Sequence, residues 1–221
     1  MTTSCMPFSI HNLTLCVAPG QLCLLMGEVG SGKSSLLQLL LGEMTLQSGR
    51  VCVCRDHGIG YVPQASWIVN GSVRENIILG RIYDEQWYAE VVTSCALEPD
   101  FKTFGEGDRT EIGERGVTVS GGQKARISLA RALYGKPSLL LLDDPLSAVD
   151  VHVAQHLVAH ALLKVARHKL GSAVVLASHQ LQFVNELADE VIVLSHGHVI
   201  AKGPPEAIAA TELVHAASND M

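Results

Sequence analysis

The sequence is poor in aromatic residues, in basic charge and in long apolar runs. Its 221 residues include two Trp, four Tyr and four Phe, and 16 Lys and Arg stand against 22 Asp and Glu, for a formal net charge of −6. An acidic balance argues against nucleic acid as the main partner. No stretch approaches the ~20 consecutive apolar residues of a membrane-spanning helix, and the first residues lack the basic cluster of a signal peptide. The length suffices for one domain with a sizeable core.

The six cysteines have no spacing typical of a disulfide framework. They are Cys5, Cys16, Cys23, Cys52, Cys54 and Cys95. Cys52 and Cys54 would share one face of a strand, but no second Cys or His pair lies nearby to complete a zinc site. We interpret all six as reduced thiols in a cytosolic compartment.

A glycine-rich loop is present between an apolar strand-length run and a helix-forming run. Residues 27–34 read Gly-Glu-Val-Gly-Ser-Gly-Lys-Ser, which is the phosphate-binding pattern called Walker A. Its glycines allow backbone N–H groups to turn toward phosphate oxygens, and the following helix presents its positive end to the same anion. We expect Lys33 to reach the β- and γ-phosphates and Ser34 to bind Mg²⁺. The candidate nucleotide-binding residues here are Gly27, Glu28, Val29, Gly30, Ser31, Gly32, Lys33, Ser34 and Ser35.

Strand and helix patterns alternate along the chain. Strands are predicted at 12–17, 22–26, 51–53, 59–62, 138–143, 173–177 and 191–194, and helices after residue 34, at 85–97, 122–134 and 151–168, and after 205. Residues 105–116, rich in Gly, Glu and Arg, are predicted to be loop. Strands alternating with helices indicate an α/β fold with a mainly parallel sheet.

Two carboxylates end a strand that we predict to be buried on both faces. Residues 139–144 read Leu-Leu-Leu-Leu-Asp-Asp, and open α/β sheets bind ligands at the carboxyl ends of their strands. We expect Asp143 to hold Mg²⁺ opposite Ser34, and Asp144 to face the water that attacks the γ-phosphate. The alternative is a pair of acids in a surface turn before Pro145.

Further residues extend the candidate site. Ser120, Gly121, Gly122 and Gln123 open a predicted helix and form a second anion-binding end. Because one nucleotide does not need two such ends, we expect a dimer in which this one closes on the nucleotide of another domain. Gln64 ends a strand and can reach Mg²⁺ or the attacking water. His179 follows a central strand and can hydrogen-bond a γ-phosphate.

The ordered set of motifs resembles the nucleotide-binding domain of an ABC transporter. The matching motifs are Walker A (27–34), the Q-loop (Gln64), the signature (120–123), Walker B (139–143), the D-loop (147–150) and the H-loop (His179). The signature is the most specific of them, because other P-loop enzymes lack it. We call residues 120–123 the signature segment from here on.

Three longer stretches resemble the C subfamily, the multidrug-resistance-associated exporters. They are residues 71–77 (Gly-Ser-Val-Arg-Glu-Asn-Ile), 111–116 (Glu-Ile-Gly-Glu-Arg-Gly) and 143–150 (Asp-Asp-Pro-Leu-Ser-Ala-Val-Asp). Within that subfamily they resemble the first of two nucleotide-binding domains. The short interval from Lys33 to Gln64 is similar to that domain as well.

The resemblance implies a P-loop NTPase with a RecA-like core, formed by residues 1–64 and 137–221, and an inserted α-helical subdomain at 65–136. It implies ATP and Mg²⁺ as ligands and ATP hydrolysis that powers export. The implied partners are a second nucleotide-binding domain, bound head to tail, and transmembrane domains that would hold the chain at the cytoplasmic face of a membrane.

The sequence departs from the family at three places. Asp144 stands where Glu is usual, and Val119 stands where the signature usually begins with Leu. The aromatic residue that the family places against adenine would precede Met1, so we expect a fragment that lacks its first strand and its transmembrane domains. Two alternatives remain: a regulatory module that clamps ATP and hardly hydrolyses it, because of Asp144, and a soluble ABC ATPase.

Three other groups of residues have two readings each. His152, His156 and His160 recur every four residues, which suits either a metal site or an exposed helix face. Trp67 is either a core residue or part of the region that contacts transmembrane coupling helices in the family. Lys124, Arg126 and Arg131 form either a basic strip or a set of local pairs.

Overall fold

The computed structural model describes residues 9–114, 116–178 and 188–209. Its strands are β1 Leu22–Met26, β2 Ile59–Val62, β3 Gly71–Ser72, β4 Glu111–Ile112, β5 Leu139–Asp143, β6 Ala173–Ala177, β7 Glu190–Ser195 and β8 His198–Gly203. Six of them form a sheet in the order β2-β5-β6-β1-β7-β8, parallel except for the antiparallel β7–β8 pair, while β3 and β4 form a separate two-stranded ladder. The predicted α/β fold with a mainly parallel sheet is confirmed.

Helices cover the sheet and fill the stretch of chain between β2 and β5. They are α1 Lys33–Leu41, α2 Val73–Ile78, α3 Glu85–Ser94, α4 Glu98–Thr103, α5 Gly121–Tyr134, α6 Val151–Leu157 and α7 Pro205–Ala209, with a 3₁₀ turn at Gly107–Arg109. Helix α6 continues into a π-helix, Val158–Lys169, whose wider winding is uncommon over such a length. Among the described residues, no helix combines the length and apolarity that crossing a membrane requires.

The three central strands are buried along their whole length. Every residue of β1, β5 and β6 is buried, in agreement with their continuous apolar sequences. In the sheet, β6 lies between β1 and β5. The loop after β1 and the acidic end of β5 therefore emerge at the same edge, two strand spacings apart, or about 10 Å.

Two predicted strands are wrong. Residues 12–17 show the expected alternation of half-buried and exposed side chains but form no ladder with the described residues; beside them, His11 forms a single bridge to His198. Residues 51–53 are likewise not in a strand. One-sided burial is a property of the segment alone, whereas a strand also needs a neighbouring backbone that pairs with it.

Helix α2 was not predicted, although a local signal for it exists. The Ser72 hydroxyl accepts a hydrogen bond from the Glu75 amide, and the Glu75 carboxylate accepts one from the Ser72 amide. This reciprocal capping box follows from Ser and Glu three residues apart, so the helix start could have been inferred. The helix predicted at 85–97 forms as α3 but ends at Ser94, three residues early, with Trp87, Tyr88 and Val91 buried.

The cysteines divide into buried and exposed thiols. Cys23 in β1 and Cys95 after α3 are buried, whereas Cys16, Cys52 and Cys54 are exposed, and all five are free. Burial raises the pKa of the Cys23 thiol to about 12 and that of Cys95 still further. Cys5 lies outside the described residues.

Candidate functional site

The phosphate loop, residues 27–34, has the backbone conformation that its glycines permit. Gly27 has a φ of 141°, and a β-carbon there would lie 2.1 Å from the Leu194 carbonyl oxygen. Gly32, at the N-cap of α1, has a φ of 113° and offers no side-chain cap to the helix. The first-turn N–H groups of α1 consequently lack a capping side chain. Such N–H groups can donate hydrogen bonds to an anion at the start of the helix.

Lys33 is folded back over its own loop. Its ammonium donates hydrogen bonds to the carbonyl oxygens of Gly27, at 2.5 Å, and Glu28, at 2.8 Å. Burial lowers the pKa of Lys33, and the negative charges of Asp144, Asp143 and Glu28 oppose that shift. The structure therefore brings the predicted phosphate-binding cation within the field of both carboxylates that end β5.

Ser34 and Asp143 are neighbours. The Asp143 carboxylate is only 6 % exposed at the end of β5, and burial raises the pKa of Asp143. The nearby charge of Asp144 also raises this pKa, while hydrogen bonding with the Ser34 hydroxyl and the charge of Lys33 lower it. A hydroxyl beside a carboxylate fits Mg²⁺, which takes oxygen ligands and keeps water and substrate oxygens in its shell.

Protein ligands here would supply only part of a metal shell. Among residues 9–114, 116–178 and 188–209, no group of three or more His, Cys, Asp or Glu could hold a metal ion. For Mg²⁺ bound to a nucleotide this is the usual case, because one or two carboxylates and the phosphates share the ion.

Asp144 has a left-handed backbone. Its φ is 49°, a region that Asp and Asn tolerate better than most side chains do. The Asp144 amide donates to the Ala177 carbonyl oxygen of β6 at 2.9 Å, and the Ser147 hydroxyl donates to the Asp144 carbonyl oxygen at 2.9 Å. These hydrogen bonds fix the turn that follows β5, and thereby the direction in which the Asp144 side chain extends from the backbone.

The signature segment is built as a capped helix start. The Ser120 hydroxyl accepts a hydrogen bond from the Gln123 amide, and the Gln123 side-chain oxygen accepts one from the Ser120 amide at 2.8 Å. The Gln123 amide group also donates to Asp100 at 3.0 Å. The Gln123 side chain is thereby engaged with its own domain, whereas Gly121 is exposed with open space around it.

Asp100 supports this helix start and was missed in the sequence. It is buried, and besides Gln123 it binds Arg126 through a salt bridge of 2.5 Å. The Arg126 guanidinium also donates to the Ala96 carbonyl oxygen. No local pattern joins residues 26 positions apart, so this support could not be predicted from spacing.

Two further candidates are Gln64 and His179. Gln64 is exposed, two residues beyond the end of β2. His179 lies outside the described residues. The structure thus brings Lys33, Ser34 and Asp143 together with Asp144, and gives the signature segment contacts of its own with Asp100 and Ala148.

Three groups of residues had two interpretations each, and the structure decides between them for some of these residues. His152 and His160 are exposed, in line with an exposed helix face, while His156 binds the Thr93 carbonyl oxygen at 2.9 Å and stacks on His160. Trp67 is 44 % exposed and is not a core residue. Arg126 is paired, but with Asp100, which is 26 residues away and not a local partner, and the hydrogen bonds of Arg131 go to uncharged oxygens.

Comparison with known proteins identifies the family. The model of the ABC transporter family matches residues 10–147. The chain is 45 % identical over 197 residues to the ABC-type transporter cicA of Emericella nidulans, with 89 % of this chain and 14 % of the relative covered. It is 46 % identical over 207 residues to the probable multidrug resistance-associated protein lethal(2)03659 of Drosophila melanogaster, with 94 % and 15 % covered.

A human relative extends the comparison. ATP-binding cassette sub-family C member 4 of Homo sapiens is 42 % identical over 196 residues, which cover 88 % of this chain and 14 % of the relative. The chain thus spans about a seventh of the length of these relatives. The predicted resemblance to the C subfamily is confirmed, and so is the prediction of an ATP-binding ATPase domain. The chain belongs to the ABC transporter family, as an ATPase domain similar to those of its C subfamily.

Proposed function

We propose that this chain binds Mg–ATP in the phosphate loop and hydrolyses it to power export through a transporter of the C-subfamily type. The observation that carries the proposal is the proximity of Ser34 and Asp143, with Lys33 beside them. A hydroxyl, a buried carboxylate and a cation at one sheet edge suit a metal-bound phosphate chain.

Each residue has one role in this proposal. The loop amides and the Lys33 ammonium bind the β- and γ-phosphates, and Ser34, Asp143 and Gln64 hold Mg²⁺, which neutralises phosphate charge when bound. Asp144 orients the attacking water, and His179 donates to the γ-phosphate. Residues 27–32 and Ser35 complete the nucleotide contacts.

The site is proposed to be slow. Asp is one methylene shorter than the usual Glu, a deficit of about 1.5 Å with the backbone held fixed. Misplacement of a catalytic group by about 1 Å can cost on the order of a hundredfold in rate. Binding suffers little, because the phosphate and metal contacts do not involve the Asp144 carboxylate.

The signature segment is proposed to act on the nucleotide of a second domain. The exposed Gly121 supports this, because the open space around it lets an anion approach the start of α5 from outside. Ser120, Gly122 and Gln123 belong to the same helix start in this proposal. The result is a head-to-tail dimer of nucleotide-binding domains that encloses ATP between a phosphate loop and a signature segment.

Transmembrane domains outside this chain are the second proposed partner. Exposed apolar residues follow Gln64 and α2, namely Trp67, Val69, Leu79 and Ile82, and such residues are common where proteins associate. One of the relatives, the ABC-type transporter cicA of Emericella nidulans, is named as a transporter. Docking on such domains would place the chain at the cytoplasmic face of a membrane.

The division of the chain is proposed to follow these roles. Residues 1–64 and 137–221 form the core that holds the phosphate loop, and residues 65–136 form the helical subdomain that presents the signature segment. In support, helices α2 to α5 all lie between β2 and β5 in the chain.

Titration calorimetry of the 221-residue chain with ATP, with and without Mg²⁺, tests the proposal. We expect saturable binding that Mg²⁺ strengthens and that Ser34→Ala makes insensitive to Mg²⁺. Ser35→Ala is the matched control for the metal: it removes a neighbouring hydroxyl that has no assigned metal contact, so Mg²⁺ should still strengthen ATP binding even if the affinity for ATP itself falls. Absence of ATP binding by the folded wild-type chain would overturn the assignment.

A regulatory module that clamps ATP without turnover is the second candidate. The observation that favours it is Asp144 itself, which shortens the reach of the carboxylate toward the water. Single-turnover hydrolysis in a dimer distinguishes the two: release of phosphate from this site supports the ATPase, and its absence over hours supports the clamp.

A further inference from the structure

Arg131 is a buried cation with no acidic partner in the described parts of the chain. It lies in α5 and is 6 % exposed. Its guanidinium donates to the Asn76 carbonyl oxygen at 2.7 Å, to the Asn76 side-chain oxygen at 3.1 Å and to the Trp67 carbonyl oxygen at 3.2 Å. Burial lowers the pKa of Arg131 to about 10, and Arg81 adds to the effect. A charge buried at such a cost calls for a function that an apolar side chain would not supply.

Asn76 extends these contacts to a third segment. It is fully buried in α2, and its side-chain oxygen accepts a hydrogen bond from the Val69 amide at 2.9 Å. Its side-chain NH₂ donates to the carbonyl oxygens of Val69, at 2.9 Å, and Ser72, at 3.1 Å. One guanidinium and one amide therefore join residues 67–69, helix α2 and helix α5 through a network of hydrogen bonds.

The joined segment is exposed on its outer side. The Arg131 guanidinium lies over the Trp67 ring, 3.8 Å from its centre, while Trp67 remains 44 % exposed. Val69 is exposed as well. A partner that displaced this segment would therefore move groups that contact the buried cation directly.

The end of α5 that carries Arg131 also lies against β2, the strand that precedes Gln64. A β-carbon at Gly60 in β2 would lie 3.2 Å from the Ala132 carbonyl oxygen of α5. At its other end α5 begins at Gly121 in the signature segment, ten residues or about 15 Å from Arg131 along the helix axis. A helix transmits a tilt over this distance, because its internal hydrogen bonds keep it stiff.

We propose that Arg131 is a positioning residue that fixes the segment 67–69 to helix α5, so that displacement of this exposed segment reorients the signature segment. Gln64 stands three residues before Trp67, so the same linkage joins the Q-loop to the signature. The consequence for closure over ATP rests on the proposed function, whereas the mechanical linkage itself does not.

Hydrogen exchange of the full chain without nucleotide tests the linkage through a mutant cycle. Trp67→Leu removes the ring beneath the guanidinium and keeps the backbone acceptor. We expect it to speed exchange of the amides in residues 119–125 by about threefold or more, as local opening becomes easier. In an Arg131→Met background, adding Trp67→Leu should change exchange there by less than about 1.5-fold, because the link is already broken.

Tyr83→Leu is the matched control. Tyr83 is also an exposed aromatic residue beneath a guanidinium, that of Arg74, at 4.9 Å. Since Arg74 pairs with Asp108 and not with α5, the control should leave exchange at 119–125 unchanged. If Arg131→Met does not fold, Arg131→Lys is used as the background instead. It keeps the positive charge, but a single ammonium lacks the planar, forked set of donors that binds Asn76 and Trp67 together.

Two results would overturn the proposal. One is faster exchange at 67–69 with no change at 119–125 in Trp67→Leu, which would mean that the contact is local. The other is an equal effect of Trp67→Leu with and without Arg131, which would mean that the link takes another route. Neither result bears on ATP binding. Conversely, failure of the chain to bind ATP would not change the exchange rates in the mutant cycle, so the proposed linkage and the proposed function can be refuted independently.

Discussion

Gly122 lies directly against Ala148, so that a β-carbon on Gly122 would come within 2.8 Å of the Ala148 carbonyl oxygen. Ala148 belongs to the D-loop, the turn that follows Asp144. The neighbouring Gly121 meets nothing within 4 Å at the equivalent position. Two adjacent glycines thus have different tasks: Gly122 lets the D-loop approach the signature helix, and Gly121 leaves the outer face open.

The first prediction separates these two glycines. Gly121→Asp places a negative charge where a phosphate of the partner's nucleotide is proposed to bind, so we expect ATP-dependent dimerisation to weaken by about tenfold or more, or roughly 1.4 kcal/mol. Binding of ATP to the monomer should not change, and an acid at a helix start should not lower stability. Sedimentation with Mg–ATP and a second C-subfamily nucleotide-binding domain measures the effect.

Gly122→Ala is the companion variant. Its methyl group collides with the D-loop, so it should lower the free energy of unfolding by about 1–3 kcal/mol, as overpacking does, whereas Gly121→Asp should not. Equal loss of monomer ATP binding in Gly121→Asp would mean that the signature segment serves its own nucleotide.

Lys33→Ala should lose most of the affinity for Mg–ATP. The loop amides remain, but the charge-assisted bonds to the phosphates are gone, and these are roughly twice as strong as neutral ones. We expect affinity to fall by about a hundredfold, or about 2.7 kcal/mol, in titrations with a fluorescent ATP analogue. Lys164→Ala, on the exposed side of the π-helix, removes the same charge far from the loop and should bind normally. Wild-type affinity in Lys33→Ala would rule out the assigned site.

Asp144→Glu should raise hydrolysis at this site by at least about tenfold, a barrier change of roughly 1.4 kcal/mol. The longer side chain recovers the reach toward the attacking water, which a general base must approach to about 2.6–3.2 Å. The assay is single-turnover hydrolysis in a heterodimer whose partner site has been disabled. No gain in rate with unchanged ATP binding would show that reach does not limit this site.

Asp144→Asn controls for the backbone at this position. Because φ is 49° there, Asn should keep the fold as well as Asp does, whereas Glu should lower stability slightly. The Asn variant should bind ATP and release no phosphate in the same assay.

Asp143→Asn should stabilise the nucleotide-free chain at neutral pH while weakening its use of Mg²⁺. Burial holds the pKa of Asp143 above its ordinary value, so ionisation costs more in the folded chain than in the unfolded one. Stability is therefore lost as pH rises from the ordinary carboxyl pKa of about 4 through the raised folded value. The advantage of Asn should vanish near and below pH ~4, where both states are protonated. Urea unfolding between pH 4 and 8 measures this, and a constant difference across that range would contradict it.

The sequence predicted those parts of the fold that a segment determines by itself. Strands β1, β5 and β6 were recognisable because each is an uninterrupted apolar run, and the phosphate loop because its glycines and Lys33 have fixed spacing. The strand at 12–17 was wrong because its pairing depends on another segment. The contact between Arg131 and Asn76, 55 residues apart, and the left-handed turn at Asp144 arise only when distant elements pack together.

The two buried thiols described above give this molecule a pair of internal reporters of unfolding. Cys23 lies in the centre of the sheet, and Cys95 lies among the helices between β2 and β5. Because only a thiolate reacts readily with alkylating reagents, and burial raises the pKa of both groups, each is protected until its own surroundings open. An alkylating reagent would label the exposed Cys16, Cys52 and Cys54 first. The slower labelling of Cys23 and Cys95 would then report only the opening of the structure around them. Equal rates for the two would show that sheet and helices open as one cooperative unit, and unequal rates would reveal which gives way first.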